Sequence, residues 1–455
     1  MIEAAARAGN KKAIFSSVSG PRPMSTIRFF LSYPMFLLAF GPPEFKPPVI
    51  GVDTSQAHFD VWNVFQVGWI SAIALRAIIR LTTARSIVMP RQIRSVLKIA
   101  FILGVLFAVS VLYSPGSVIS AEYCVLYFLN LACVVEFIAG AQRNPPDWIQ
   151  CIFQLRLVAL LLVAAVLLTL FVAPILVLHQ DGRLMGGAIA SMPFYCPIIA
   201  IISAYTFLHS LESRVRAGLY FMFGVAGTVV TQTRGAELSL AFILLMIGVS
   251  WAKRGRRSAH LAVSGTMALA VLAGALVAIF GAGTIWQDFN RGQGADTLVT
   301  ASGRTGVWED QVMYCVTHPQ GMGYIAGVRA FHRRDYSTNL HAALTNIGGT
   351  DNSYMEVLTD AGWLALVLYV TYIFKTLQLG WRFAGRKAGM MRTDSAMYHL
   401  ANCALFLMAF CLAEGVESSK YVIPLFGPFY AQNILIAVLL AASGNALISA
   451  RFTSG

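Results

Sequence analysis

The chain has 455 residues, of which 57% are hydrophobic and only 12% charged, with a net charge of +13 and a mean hydropathy of +0.66. A soluble chain of this length needs far more charge to cover its surface. Continuous apolar runs of about 17–25 residues, the length that crosses a hydrocarbon core, recur instead. This is the pattern of an all-α polytopic membrane protein. A transmembrane barrel would show short alternating segments, and basic residues confined to short loops between spans point to membrane topology rather than to nucleic acid.

In chain order, residues 1–26 are basic and polar and read as a cytoplasmic N-terminal tail. The first apolar run starts near Ile27 with no small-residue cleavage pattern after it, so a cleaved signal is not expected. About twelve spans follow, at roughly 27–41, 61–81, 96–113, 121–141, 153–178, 186–208, 216–232, 236–252, 261–285, 361–381, 397–414 and 424–446. This divides the chain into spans one to nine (27–285), a polar loop (286–360), spans ten to twelve (361–446) and a cytoplasmic tail (447–455). The seven cysteines are scattered, without CxxC or Cys/His metal spacing. Cys315 is the only one in the large loop, which excludes a disulfide within it.

The charges set the sidedness. Arg85, Arg91, Arg94 and Lys98, then Arg143, then Arg214 and Arg216, then Lys253, Arg254, Arg256 and Arg257, then Arg382, Arg386, Lys387 and Arg392 fall in alternate loops. The positive-inside rule puts these loops and both termini in the cytoplasm. The segments 42–60, 114–120, 179–185, the turn near 233–235, the large loop and 415–423 then face outward.

The large loop holds three of the eight histidines (His318, His332 and His341), eight of the twenty-one acids and five arginines. A helix is expected from an N-cap near Ser302 to Tyr314, and a turn over His318–Gly323. Thr350-Asp351-Asn352 is expected to cap a helix over Ser353–Thr359.

Several residues are candidates for chemistry. Arg234 lies between two apolar spans at the outer membrane boundary, either as an interfacial arginine satisfied by headgroups or Glu237, or as an anion clamp. Arg304, flanked by Gly303 and Gly306 before a helix start, is a second anion-binding candidate. Asp351 is a candidate general base or a helix cap, and Asn352 a candidate to orient a hydroxyl or a sugar. His341 has a usable ionisation range for base work. His332, beside Arg329, Arg333 and Arg334, marks a solvated basic face or a site for an anionic glycan. The chain has no P-loop, HExxH, GxSxG or DxD pair, so neither nucleotide nor metal is expected as cofactor.

With these residues in view, the chain resembles the O-antigen ligase / polysaccharide polymerase superfamily. Thr233-Arg234-Gly235-Ala236 is similar to that family's Ser/Thr-Arg-Gly segment. Ser302-Gly303-Arg304 through Trp308, then His318-Pro319 and Gly321-Met322-Gly323, resembles its loop pattern, and Asp351-Asn352-Ser353-Tyr354-Met355-Glu356 with Ala361-Gly362-Trp363 resembles its approach to the tenth span. The resemblance implies a glycosyltransferase C-like membrane fold of about twelve helices with one large, partly helical periplasmic loop, in the bacterial inner membrane.

It also implies a glycan on undecaprenyl diphosphate as substrate. Arg234 and Arg304 would bind the diphosphate, Asp351 or His341 would act as base, and Asn352, Glu356 and Trp308 would position acceptor or sugar. Beyond the bilayer and the lipid-linked glycan, chain-length regulators or export proteins are expected partners. Asp351 stands where ligases commonly carry histidine, which favours a polymerase of repeat units over a ligase to lipid A–core. A twelve-span secondary transporter is the rival from another class, but only Glu136, Arg156 and Glu414 fall within or near span interiors, where transporters put their polar groups.

Overall fold

The computed structural model describes residues 24–38, 61–83, 89–174, 177–178, 184, 191–252, 304–328, 331, 352–385, 396–416, 418, 421 and 427–453. These residues are almost wholly helical, apart from one isolated bridge between Leu178 and Leu184. The helices are α1 (Thr26–Ser32), α2 (Met35–Leu38), α3 (Val61–Thr83), α4 (Arg91–Ser110), α5 (Ser117–Arg143), α6 (Trp148–Val172) and α7 (Met192–Leu208). They continue as α8 (Arg214–Val230), α9 (Arg234–Ala252), α10 (Arg304–Thr317), α11 (Ser353–Gly385), α12 (Ala396–Glu414) and α13 (Gly427–Thr453). Among the described residues, seven helices are long and apolar enough to cross a membrane, namely α4, α5, α6, α9, α11, α12 and α13.

Ten of the expected spans coincide with single helices, α3–α9 and α11–α13. The first does not. Instead of one helix over 27–41, α1 and α2 are separated at Tyr33-Pro34. Proline has no N–H to donate and its ring clashes with the carbonyl four residues back, so the first run folds as two short pieces. The expected span 153–178 is met by α6, which starts earlier and ends at Val172, and the described part of the span expected at 186–208 holds α7. The expected helix over Ser353–Thr359 and the tenth span, 361–381, follow one another within α11 as two helical segments divided by the non-helical backbone at Gly362. The expected ninth span, 261–285, lies outside the described residues.

The centre of the bundle is α13, largely buried by α5, α11 and α12. A second group is α7 with α6, α8, α9 and α12. There α8 crosses so near α7 that a Cβ at Gly224 would come 2.6 Å from the Ala200 nitrogen; a small residue is what lets two membrane helices approach this far. The outer surface is apolar, with Leu112, Phe171, Val172 and Leu219 among many exposed large side chains. In water such a surface would be an extended sticky patch; against lipid it is at home.

Hydrogen bonds and ring contacts sort the helix ends. At one end, Tyr113 donates to the Gln320 carbonyl, Ser120 to that of Tyr324, and the Ser353 amide to that of Gly415. Phe194, at the start of α7, meets Tyr421 at 5.6 Å between centroids. Since α7 and α8 run as a hairpin, the α8–α9 turn and Arg234 belong to this end too. The described residues of the segments expected to face one way, namely 114–120, 304–328 and 352–360 of the large loop, 415, 416, 418 and 421, and the turn near 233–235, thus share one end of the molecule. At the other end Arg80 pairs with Glu136 at 2.8 Å, and Asn445 donates to the Ala141 carbonyl.

Two of the three charges noted within or near span interiors, Glu136 and Arg156, have ionic partners. Arg80 holds Glu136, and Arg156 is gripped in a two-point bond by Glu212, with Nη2 to Oε2 at 2.8 Å. Thr206 donates to the same carboxylate at 2.6 Å, and the Tyr220 ring lies 4.5 Å from the Arg156 guanidinium carbon. Burial raises the Glu212 ionisation point, but the bonds from Arg156 and Thr206 outweigh it and hold the carboxyl below its ordinary value.

Candidate active site

The loop end is organised by a latch between two stretches, 315–328 and 358–363. Inside α11, Gly362 adopts φ +82° and ψ −177°, backbone essentially restricted to glycine. The break releases carbonyls from the helix ladder. Thr359 and Asp360 accept instead from the amides of Met322 at 2.8 Å and Gly323 at 2.7 Å, and the Trp363 amide turns back to the Pro319 carbonyl at 3.1 Å. The fit is tight: a Cβ on Gly362 would stand 2.0 Å from that carbonyl oxygen, and one on Gly323 (φ +117°) 2.4 Å from the Ser114 Cβ.

Side chains complete the latch. The Asp360 carboxylate accepts from the Ile325 amide at 2.7 Å and the Val328 amide at 2.8 Å. The Trp363 indole donates to the Cys315 carbonyl at 3.1 Å, and the Cys315 thiol to the Leu358 carbonyl at 3.6 Å. Cys315 is fully buried, and burial pushes its thiol up to about 11. Tyr324 plugs the latch into the adjoining ends of α4 and α5. Its ring stacks on Phe107 at 4.0 Å, its amide donates to Ser110, and its carbonyl accepts from Ser120. Burial pushes its phenol well above the usual value. His318 stacks on Tyr314 at 4.1 Å and meets the Thr317 hydroxyl at 2.9 Å, so it closes the α10 C-terminus.

The first turn of α11 is anchored next to this latch. Asn352 is buried, and its Oδ1 accepts from the amides of Tyr354 at 2.9 Å and Met355 at 3.1 Å. This is the N-cap bond that Asn favours. The Ser353 hydroxyl donates to the Ser418 carbonyl and the Tyr354 hydroxyl to that of Leu412, so α11 is tied to the end of α12. Glu356 is buried in that first turn. Glu414, last residue of α12, is buried and accepts from the Tyr421 hydroxyl. Two carboxylates are therefore withdrawn from solvent where α11 and α12 meet.

Arg234 opens α9, reached through a turn in which Gln232 takes φ +47°. Gly235 and Ala236, the small residues after it, are buried where α9 packs on α7 and α12. The Arg234 Nε and Nη2 atoms are shielded from solvent. Arg304 opens α10, as the expected helix start requires, and α10 packs on α11. Trp308, one turn further on, is half-buried. Asp351, His341 and His332 lie outside the described residues. Among the described residues no three His, Cys, Asp or Glu side chains converge as metal ligands would.

Thus the structure brings Asn352 and Glu356 together on one helical turn and puts the Arg234 turn at the same end of the bundle. Sequence reasoning missed Asp360, which sits two residues before Gly362 and one turn after Glu356, a spacing that marks it as facing the loop once the break is known. It also missed that Glu414 joins this end.

No curated protein matches the chain. The family model for O-antigen ligase matches residues 219–370, about a third of the chain. The matched stretch runs from α8 through the Arg234 turn, α10 and the latch into α11, so it contains the described site residues except those on α4 and α5 and between them, on α12, and in the turn that follows α12. The match supports the O-antigen ligase / polysaccharide polymerase superfamily, and the resemblance read from Arg234, Arg304 and the Asn352–Trp363 stretch is borne out on that segment.

Proposed function

We propose that the protein is a membrane glycosyltransferase of the bacterial inner membrane that polymerises oligosaccharide units linked to undecaprenyl diphosphate, at its periplasmic face. An acceptor hydroxyl attacks the anomeric carbon of the donor sugar. The bond from that carbon to the phosphate oxygen breaks, and undecaprenyl diphosphate leaves with the electron pair. Asp351 or His341 takes the hydroxyl proton. Arg234 and Arg304 bind the diphosphate and stabilise the charge it gains on leaving, a task suited to planar guanidinium forks. Asn352, Glu356 and Trp308 position acceptor and sugar. The reaction needs neither metal nor nucleotide, because the diphosphate is already an activated leaving group.

The observation that carries this reading is the placement of Arg234 at a helix start, at the end of the bundle that also holds the latch and the first turn of α11. The basic loops at the opposite end support a periplasmic orientation for this one. The matched family's description favours a second reading, transfer of a finished glycan to lipid A–core. Purified protein given lipid-linked repeat units as both donor and acceptor should lengthen the glycan. Transfer only when lipid A–core is added would establish the ligase. Arg234→Ala and Arg304→Ala should each abolish product while the protein still inserts; normal product length in either variant would overturn the mechanism.

A further inference from the structure

At the end of the bundle opposite the latch, a polar groove runs between the C-terminal turns of α3 and α5 and is bordered by α1. Its two adjoining parts enclose about 290 and 300 Å³ and share Arg80, Glu136 and Asn144. Arg143 lines one part and Arg28 the other. Among the described lining residues, three guanidinium groups thus face one carboxylate.

Glu136 is already matched by Arg80, through Nη1 at 2.8 Å. Arg80 also reaches the Ser32 carbonyl with the same nitrogen, at 3.5 Å. Its side chain is nonetheless 47% exposed. Among the described residues its Nε and Nη2 make no hydrogen bond, so half of the fork is presented to the groove. The groove therefore has an excess of fixed positive charge with fork geometry, which is what a phosphate monoanion requires.

The surroundings say which phosphate. On α3, Leu75, Ile78 and Ile79, all within five residues before Arg80, are exposed and apolar, as a surface against acyl chains would be. A basic pocket between membrane helices beside an apolar wall is a headgroup site. We propose that this groove binds the phosphate of an anionic phospholipid in the leaflet opposite the catalytic end, and so ties α1 to α3 and α5.

The test uses the full chain in detergent. Thermal unfolding is followed while phosphatidylglycerol, phosphatidylcholine or inorganic phosphate is titrated in. Phosphatidylglycerol should raise the midpoint saturably, and the other two should not. Arg28→Gln with Arg143→Gln leaves the Arg80–Glu136 pair intact and should weaken the phosphatidylglycerol response about 30-fold, two surface cations at about 1 kcal/mol each. Native mass spectrometry of the unaltered protein gives a readout independent of variant folding, and should find anionic phospholipid retained in excess over its share of the membrane. An equal response to phosphatidylcholine, an equal response to inorganic phosphate, an unchanged affinity in the double variant, or retained lipid of bulk composition would each overturn the assignment.

Discussion

Replacing Gly362 by alanine should open the latch without unfolding the bundle. A side chain at φ +82°, ψ −177° costs on the order of 1–3 kcal/mol in backbone strain. The new methyl would also lie 2.0 Å from the Pro319 carbonyl oxygen, so the two chains must separate. Separation removes the Trp363-to-Pro319 bond and strains the Met322-to-Thr359 bond beside it, at about 0.5–1.5 kcal/mol each. Together these amount to about 2–6 kcal/mol set against the latch, or roughly one and a half to four orders of magnitude in its opening equilibrium.

Cys315 reports on that opening. It is fully buried against α11, and its thiol is pushed from 9.0 to about 11, so the reactive thiolate is about a hundredfold scarcer than in an ordinary cysteine. All seven cysteines are buried, which keeps the background low. A membrane-impermeant maleimide applied from the loop side should leave the parent protein unlabelled near neutral pH and label Gly362→Ala at Cys315. Labelling of the parent should keep rising with pH towards about 11, whereas in the opened variant it should level off near 9.0. Removing Cys315 from the variant should abolish the signal. If Gly362→Ala inserts normally and labels no faster than the parent, the latch does not depend on the break at Gly362.

Other substitutions address neighbouring steps. Asp360→Ala removes both acceptors of the Ile325 and Val328 amides; at about 1.5–3 kcal/mol for each charge-assisted bond, it should expose Cys315 to the same maleimide. Asn352→Asp keeps the helix cap, whereas Asn352→Ala should cost about 1 kcal/mol. Full polymer length in Asn352→Asp would confine Asn352 to capping, and loss of product there would place its amide on the sugar. Glu212→Gln leaves the Arg156 guanidinium buried with a neutral partner and should cost about 3–5 kcal/mol, read as a lower unfolding midpoint. The Glu212 carboxyl is held below its ordinary value of 4.5, so its contribution is complete above that pH and is lost as pH falls below it. The parent midpoint should drop over that interval, and the Glu212→Gln midpoint should change less.

Much of the bundle was legible because a bilayer leaves few choices. A segment in hydrocarbon must satisfy its own backbone, so an apolar run of sufficient length is a helix, and ten runs proved to be single helices. The exceptions have local causes. Pro34 divides the first run. At the tenth span the break falls at Gly362, close to the expected boundary, but the segment that refills it, 319–323, could not be read from that stretch. Periodicity marks where a helix begins, but a break that another segment refills leaves no trace in it.

The site was legible in its residues and not in their division of labour. Arg234, Arg304 and the Asn352–Glu356 stretch were singled out from type and position, and each stands at a helix start. The glycines of His318–Gly323 and Gly362 read only as turn signals or as parts of a family pattern. In the structure they are what allows two backbones to interlock, with Asp360 stapling them. Their partners lie about forty residues apart in sequence, so neither half announces the other. The division has a mechanistic consequence. On the proposed mechanism, a base carried by the loop meets a diphosphate held by Arg234 only if the loop is fixed to the spans, and the latch fixes residues 315–328 of that loop to α11. Opening it should therefore lower glycan transfer while leaving the arginines and the bundle in place, whereas loss of either arginine should lower transfer with Cys315 still shielded.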